Sequence, residues 1–399
     1  MNTVQTPSLG SETRISNSTR ALRVLTLTPF YPSTQDAAQG CFVAEPLACT
    51  VQLGIANEVM AVQPFYRRGL HVAESAVSSQ WRNYFSLPGN LGLATAGNFL
   101  AAGIRKAVRG LHRQNPFDLI HAHAALPCGQ AAAAFSWELR IPFVVSVHGL
   151  DAFSTRQVGR AWANWCYEKS AEVYRRAAAV ICISERVKQQ LPAELAANAV
   201  VIYNGVDPID FSPAPAMPDS FTVLSVGNLV PIKGHALLLR AFADVSASIP
   251  NARLEIIGDG CERERLITLA KALDIPGRVS FLGRQSRAGV ARAMERCAVF
   301  ALPSSYEGLG CVYLEAMSSG KPAIGCRGQG IDEIIEHGRN GLLISPGNQA
   351  ELAESLRVIL LNEDFGCRIG RAARDTVLQG YTLQHQAQRL AQLYRECAR

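Results

Sequence analysis

The chain has 399 residues, too many for one ordinary hydrophobic core and enough for two domains. Apolar residues make up 48% and charged residues 18%, with 32 glycines and 20 prolines, which excludes a disordered chain and suits a heavily buried α/β protein. The formal charge of +6 is small and no aromatic-interleaved basic stripe accompanies it, so no nucleic-acid partner is expected.

Residues 1–20 are rich in Ser, Thr and Asn without a hydrophobic export core, and no run approaches eighteen apolar residues. A cytoplasmic chain with a flexible tail over 1–20 is expected. The β-rich run 22–27 enters Thr28-Pro29-Phe30-Tyr31-Pro32 and a loop whose glycine is Gly40, the pattern of a first strand in a doubly wound domain with its loop facing a cleft. No GxGxxG follows, so this is not a dinucleotide fingerprint. Residues 41–53 predict a helix and 58–62 a strand, followed by about forty irregular residues that include Tyr66, Arg67, Arg68, Trp81, Tyr84 and Phe85. Arg105, Lys106, Arg109 and Arg113 then alternate with Ile104, Val108 and Leu111 at helical spacing. This predicts an amphipathic basic helix over 104–113, either a peripheral contact for an anionic membrane or lipid phosphate, or a solvated helix of an α/β domain.

The run ending in His121-Ala122-His123 leads into an Ala-rich helix to Leu139, and a nearly continuous apolar strand over 143–147 ends in His148-Gly149-Leu150-Asp151. Such strands mark a parallel sheet covered on both faces. Ligands bind at its carboxyl ends, which nominates His148 and Asp151, with His123 a further candidate, against the plainer reading of structural histidines. Runs 178–183 and 199–203 are further strands, and Pro208, Pro213, Pro215 and Pro218 mark a connector. The same grammar then restarts: strands at 221–226, 254–257, 279–282, 299–302 and 322–326, most followed by glycine, as close backbone approach to a ligand requires. Helices at 349–359, 365–378 and 383–396 close the chain, the last spaced to pack back on the first domain. The expected domains are 21–213 and 214–378, with a crossing helix in 379–399. Eleven cysteines lie singly, without a CxxC pair or a nearby histidine, as buried free thiols rather than disulfides or zinc ligands.

The stretch Ser304 to Glu315, SSYEGLGCVYLE, follows the strand at 299–302. Glu307 lies in the turn and Glu315 eight residues later in the helix, so both reach one cleft from different depths. Two carboxylates around a glycine-broken helix start suit a polyhydroxylated phosphate ester, the alternative being two solvated acids.

TPFYPS…QGCF at 28–42, DLIHAH at 118–123, SVHGLD at 146–151, CISE at 182–185, VIYNGVD at 201–207, SVGNLVPIKG at 225–234, IIGDG at 256–260 and PSSYEGLGCVYLEAMSSGKPAIG at 303–325 together resemble the retaining nucleotide-sugar glycosyltransferases of family 4, over about residues 22–396. The resemblance implies a GT-B fold: α/β, with two facing Rossmann-like doubly wound parallel-sheet domains and a deep interdomain cleft. It implies that Glu307 approaches sugar hydroxyls of the donor and Glu315 holds the ribose, with Gly308, Leu309 and Gly310 bordering phosphates or sugar. Lys233 matches the cation on the pyrophosphate, and His148 is expected beside the transferred sugar. Gly40, His123 and Asp151 fall on the acceptor or cleft side. Where the family commonly carries arginine after the VG of the first loop, this chain has Asn228, which leaves Lys233 as the clear cation, with Arg327 the candidate substitute.

The resemblance further implies front-face substitution on a UDP-sugar, or next a GDP-sugar, with no metal or other cofactor, and a glycan or polyprenyl-linked acceptor of the kind used for bacterial surface polysaccharides. Alternatives within this plan are a nucleotide-sugar epimerase, a sugar phosphorylase and a non-catalytic nucleotide-sugar-binding protein.

Overall fold

A computed structural model describes residues 20–34, 39–67, 77–213 and 221–399. The expected tail, Arg20 apart, lies outside them, as do Arg68, Pro215 and Pro218. The first half runs β1 (Leu22–Thr28), α1 (Cys41–Val51), β2 (Ile55–Pro64), β3 (Ser78–Tyr84), α2 (Leu93–Gln114), β4 (Leu119–His123), α3 (Gln130–Leu139), β5 (Phe143–Val147), α4 (Arg160–Arg176), β6 (Ala179–Cys182), α5 (Glu185–Lys188), α6 (Ala193–Ala196) and β7 (Ala199–Val201). The second runs β8 (Thr222–Val226), α7 (His235–Ser248), β9 (Arg253–Ile257), α8 (Arg263–Ala272), β10 (Val279–Gly283), α9 (Arg287–Arg296), β11 (Val299–Ala301), α10 (Cys311–Ser318), β12 (Ala323–Cys326), β13 (Leu342–Ile344), α11 (Gln349–Leu361), α12 (Glu363–Gly380) and α13 (Leu383–Cys397).

The strands form two separate sheets, ordered β3-β2-β1-β4-β5-β6-β7 and β10-β9-β8-β11-β12-β13, parallel at every pairing. Helices on both faces bury central strands such as β5 and β8 completely, which is why those strands read as unbroken apolar runs. The stretch expected to be irregular after β2 holds β3, whose sequence SSQWRNY is polar because it is an edge strand. The helix expected over 104–113 is the last half of the 22-residue α2. All eleven cysteines are free thiols; five are buried and Cys261 is exposed.

One cluster of buried apolar side chains runs from Leu27 and Val145 of the first sheet through Ile183 and Val187 to Leu302, Leu309 and Tyr313 of the second half, so the halves share a core at their junction. Helix α13 packs Leu390, Ala391, Leu393 and Tyr394 under the first sheet, against Val24, Leu119, Val144 and Ile181.

Candidate functional site

The loops at the carboxyl ends of the two sheets meet. The turn carrying Glu307 to Gly310 leaves β11, and its Gly308 is pressed so closely on the first half that an added Cβ would stand 2.8 Å from the His148 carbonyl oxygen. Ser184 Oγ, at the end of β6, donates to the Gly308 carbonyl at 2.6 Å. Glu333, after β12, accepts from the backbone N–H of Glu185 (2.8 Å) and of Arg186 (2.6 Å), and from the Tyr203 hydroxyl (2.9 Å).

Lys233 ends a short turn after β8, and its Nζ lies 2.5 Å from Glu307 Oε2. The two approach because Gly234 adopts φ +74° with its missing Cβ aimed at the Pro303 carbonyl, 2.1 Å away, a contact only glycine permits. Glu307 donates its backbone N–H to Gln329 Oε1 at 3.0 Å, fixing the turn. Gly310, at φ +81°, opens α10, and Leu309 beside it is fully buried. An ammonium has three N–H donors, so Lys233 can keep Glu307 and still meet two anionic oxygens.

Glu315, on α10, is 5% exposed and receives Arg287 Nη1 at 2.8 Å. Burial pushes its carboxyl pKa up, and Arg287 pulls it partly back. Asn228 stands exposed in the loop after β8. Arg327 does not join it: its guanidinium turns to Glu351 of α11 at 3.3 Å.

His148 follows β5, its backbone N–H donating to Asp151 Oδ1 at 2.9 Å, so Asp151 serves the turn that presents the histidine. The His148 ring meets the edges of Phe30 and Phe42, and its Nε2 is 3.0 Å from His123 Nδ1. His121, beside His123 at 4.3 Å between ring centroids, is held by Tyr394 Oη and Ser146 Oγ, each at 2.7 Å. Burial lowers His148 to about 4 and His121 to about 3, with His123 also well below the usual range. All three rings are neutral at pH 7 and act as hydrogen-bonding groups, not as charged acids. Burial also raises Asp151 to about 6, against the N–H donors around it. His148, His123, His121 and Asn204 line a cavity of about 20 Å³, room for one water. Gly40 opens α1 at φ +76°, and a Cβ added there would collide with the Tyr31 backbone nitrogen. Among the described residues no group of three or more His, Cys, Asp or Glu is placed to hold a metal ion.

Glu307, Gly308, Lys233 and His148 therefore stand at one junction, with Glu315 deeper in the second half, while His123 and Asp151 stand behind His148. Sequence reasoning missed Arg287, Glu45 and Glu333. Arg287 had a signal, since it follows the glycine-ended β10 at a carboxyl sheet edge; Glu45 had none, because its meeting with the second half exists only in three dimensions.

Residues 208–376 match the family described as Glycosyl transferases group 1, and residues 58–209 match Glycosyltransferase Family 4. An uncharacterised glycosyltransferase of Methanocaldococcus jannaschii is 32% identical over 261 residues, 65% of this chain and 70% of that protein. The alpha-D-kanosaminyltransferase of Streptomyces kanamyceticus is 28% identical over 302 residues, 69% of this chain and 77% of that one. Of solved structures, the sucrose-phosphate synthase from Thermosynechococcus elongatus matches with a TM-score of 0.76 at 20% identity, over 94% of this chain and 98% of that one. Anabaena HepE in complex with UDP-glucose matches with a TM-score of 0.70 at 22% identity, over 94% and 100%. With both sheets matched and a relative above 30% identity over more than two thirds of its length, the chain belongs to the group 1 and family 4 glycosyltransferases and has their GT-B fold.

Proposed function

We propose that the protein moves a hexose-type sugar from a nucleotide-diphosphate sugar, a UDP-sugar first and a GDP-sugar next, to a hydroxyl of a glycan or lipid-linked acceptor, with retention of configuration. The observation that carries this reading is the junction at which the Glu307–Lys233 pair of one sheet meets His148 of the other. A substrate spanning that junction has its diphosphate beside Lys233 and the Gly308-Leu309-Gly310 backbone, with Asn228 flanking. Its ribose diol is at Glu315 and its sugar hydroxyls are at Glu307 and His148. Residues 21–213 then form the acceptor unit and 214–378 the donor unit. That the relative HepE is known in complex with UDP-glucose supports the donor class.

The chemistry follows from charge. As the anomeric bond breaks, negative charge grows on the departing diphosphate and is met by Lys233 and backbone N–H groups already in place. His148, kept neutral by burial, is suited to hydrogen-bond a sugar hydroxyl and not to take the acceptor's proton. In front-face substitution the departing phosphate oxygen takes that proton, and the new bond forms on the face the old one leaves. Glu307, ion-paired with Lys233, positions and stabilises.

The reading includes a peripheral contact with anionic lipid through α2. What supports it is the exposed basic face with Lys106 and Arg113, and at the other end of the helix a chain of aromatic rings, Phe65, Phe85 and Phe99, exposed by 51%, 51% and 47%.

Calorimetric binding of UDP, GDP and ADP tests the donor class. One nucleotide is expected to bind at least tenfold tighter than the others, and Glu315→Ala to weaken it by roughly 10- to 100-fold, the loss of a charge-assisted pair of hydrogen bonds. Binding of none would overturn the reading, and turnover of the matching nucleotide-sugar to a disaccharide product separates transferase from epimerase and from a mere binder.

A further inference from the structure

Arg287 is the first residue of α9, directly after Ser286, whose side chain caps that helix. Its guanidinium reaches three separate parts of the chain. Nη1 bonds Glu315 Oε1 at 2.8 Å and Nη2 bonds Glu45 Oε2 of α1 at 2.8 Å, with Nε 2.6 Å from Glu45 Oε1 as an ion-pair contact. Its Cζ lies 4.9 Å from the centre of the Phe211 ring, in the segment after β7. Glu45 belongs to the first sheet's layer and Glu315 to the second's, so one partly buried cation joins two carboxylates across the junction. The contact uses Glu315 Oε1 and leaves Oε2 for another donor.

Burial raises Glu45 to about 7, with Arg287 pulling it back and Glu315 adding to the rise, while burial raises Glu315 and Arg287 pulls it back. Removing Arg287 leaves two partly buried acids facing each other, with Glu315 free to protonate or turn away. A carboxylate that must accept bonds from a diol has to be ionised and fixed in rotamer; the guanidinium charge favours the first and its Nη1 bond to Oε1 the second.

We infer that Arg287 is a positioning residue that holds Glu315 ready for the ribose hydroxyls of the nucleotide and, through Glu45, ties ribose capture to closure of the acceptor unit over the donor. The inference rests on the reading that Glu315 holds the ribose. It makes two separable statements: Arg287 governs recognition of the diol, and Glu45 governs how long the nucleotide stays.

The probes are the tightest binder of UDP, GDP and ADP and its 2′,3′-dideoxy analogue, titrated into the full-length protein. Wild type is expected to prefer the ribose form by about 10-fold or more. In Arg287→Gln that preference falls below about threefold, and in Arg287→Lys, which keeps the charge without the fork, it is intermediate. Glu45→Gln keeps the preference but speeds nucleotide dissociation in stopped flow by about 10-fold. A purely structural arginine weakens both ligands by the same factor and leaves the preference unchanged; that outcome, or no change at all, overturns the role in diol recognition. Unchanged dissociation in Glu45→Gln overturns the tie to closure. If wild type binds but does not distinguish the two forms, or Glu315→Ala preserves the distinction, the ribose assignment of Glu315 fails first and the inference with it. Glu45→Gln and Arg287→Lys are close in size to the native residues, and circular dichroism checks that each variant is folded.

Discussion

At the scale of single residues the junction depends on missing side chains and on missing charges. An added Cβ at Gly330 would stand 1.8 Å from the Gly308 carbonyl oxygen, so Gly330→Ala must push apart the turn that carries Glu307. We expect a loss of about 2–4 kcal/mol in urea unfolding, from overpacking of a fixed backbone contact. Gly277→Ala, where nothing lies within 4 Å, is expected to stay within about 0.5 kcal/mol. The missing charges are those of the histidines. His121, kept neutral by burial among Ser146, Tyr394, His123 and His148, titrates near 3 when folded and near 6.5 when unfolded. Below pH 6.5 the unfolded chain takes up a proton that the folded chain refuses. The stability this neutral ring contributes is therefore complete above pH 6.5 and is lost as pH falls toward 3. Asp151, raised to about 6, and Glu45, raised to about 7, act in the opposite sense, with stability present in acid and lost as pH rises through those values. The difference between wild type and His121→Gln isolates the histidine. The variant's stability should fall less steeply between pH 6.5 and 5 in urea titrations, by up to about 1.4 kcal/mol per pH unit, and an identical slope would contradict the neutral-ring account.

At the scale of elements, α13 returns to the first sheet and hands it Tyr394, the hydroxyl that holds His121 at the back of the histidine group. Tyr394→Phe should cost about 1–2 kcal/mol, seen as a lower urea midpoint at unchanged slope, since it removes one partner of a buried hydrogen bond and keeps the packing. The same helix shows what the sequence could disclose. Its 3.6-residue spacing of Ala387, Leu390 and Tyr394 was legible, because an amphipathic face is written in the chain, and so were the buried strands and the Glu307-to-Glu315 stretch. Edge strand β3 was not, because SSQWRNY pairs through backbone groups along one side and lacks the apolar alternation of a covered strand. Nor was the pairing of two of the four Lys and Arg residues of α2 with one acid. Arg105 and Arg109 occur in a run without acids, yet both reach Glu138 of α3, which is nearby only once the helices pack. The pairing of Arg287 with Glu45 was beyond reach for the same reason, its members lying 242 residues apart in the chain, although Arg287 alone is marked by its place after a glycine-ended strand.

At the scale of the whole molecule, the pairing of Arg105 and Arg109 with Glu138 changes where a lipid contact has to be sought. Surface ion pairs contribute little free energy, but Glu138 offsets one of the two arginine charges and draws both guanidinium groups toward α3, leaving Lys106 and Arg113 as the outward charges of α2. A juxtamembrane lysine is worth about 1 kcal/mol against an anionic surface, which two charges cannot turn into stable binding alone. On the proposed contact the remainder would come from apolar insertion of the aromatic chain. Phe65 stacks on Phe85 at 5.6 Å, Phe85 meets Phe99 at 5.2 Å, and all three stay about half exposed, beside Leu87 and Leu91, exposed by 48% and 51%. Burying the exposed half of two phenylalanines yields on the order of 2 kcal/mol, or roughly 30-fold in partitioning. In sedimentation with vesicles containing anionic lipid, Phe85→Ser with Phe99→Ser should therefore reduce binding by about 10-fold or more, and Lys106→Glu should reduce it severalfold in a salt-dependent way. Arg105→Gln with Arg109→Gln should reduce it least. Nucleotide affinity should stay within twofold in all three, because none of these side chains approaches Lys233, Glu307 or Glu315. Equal loss of vesicle and nucleotide binding would mean that the substitutions act through the fold, and the peripheral contact would have to be abandoned.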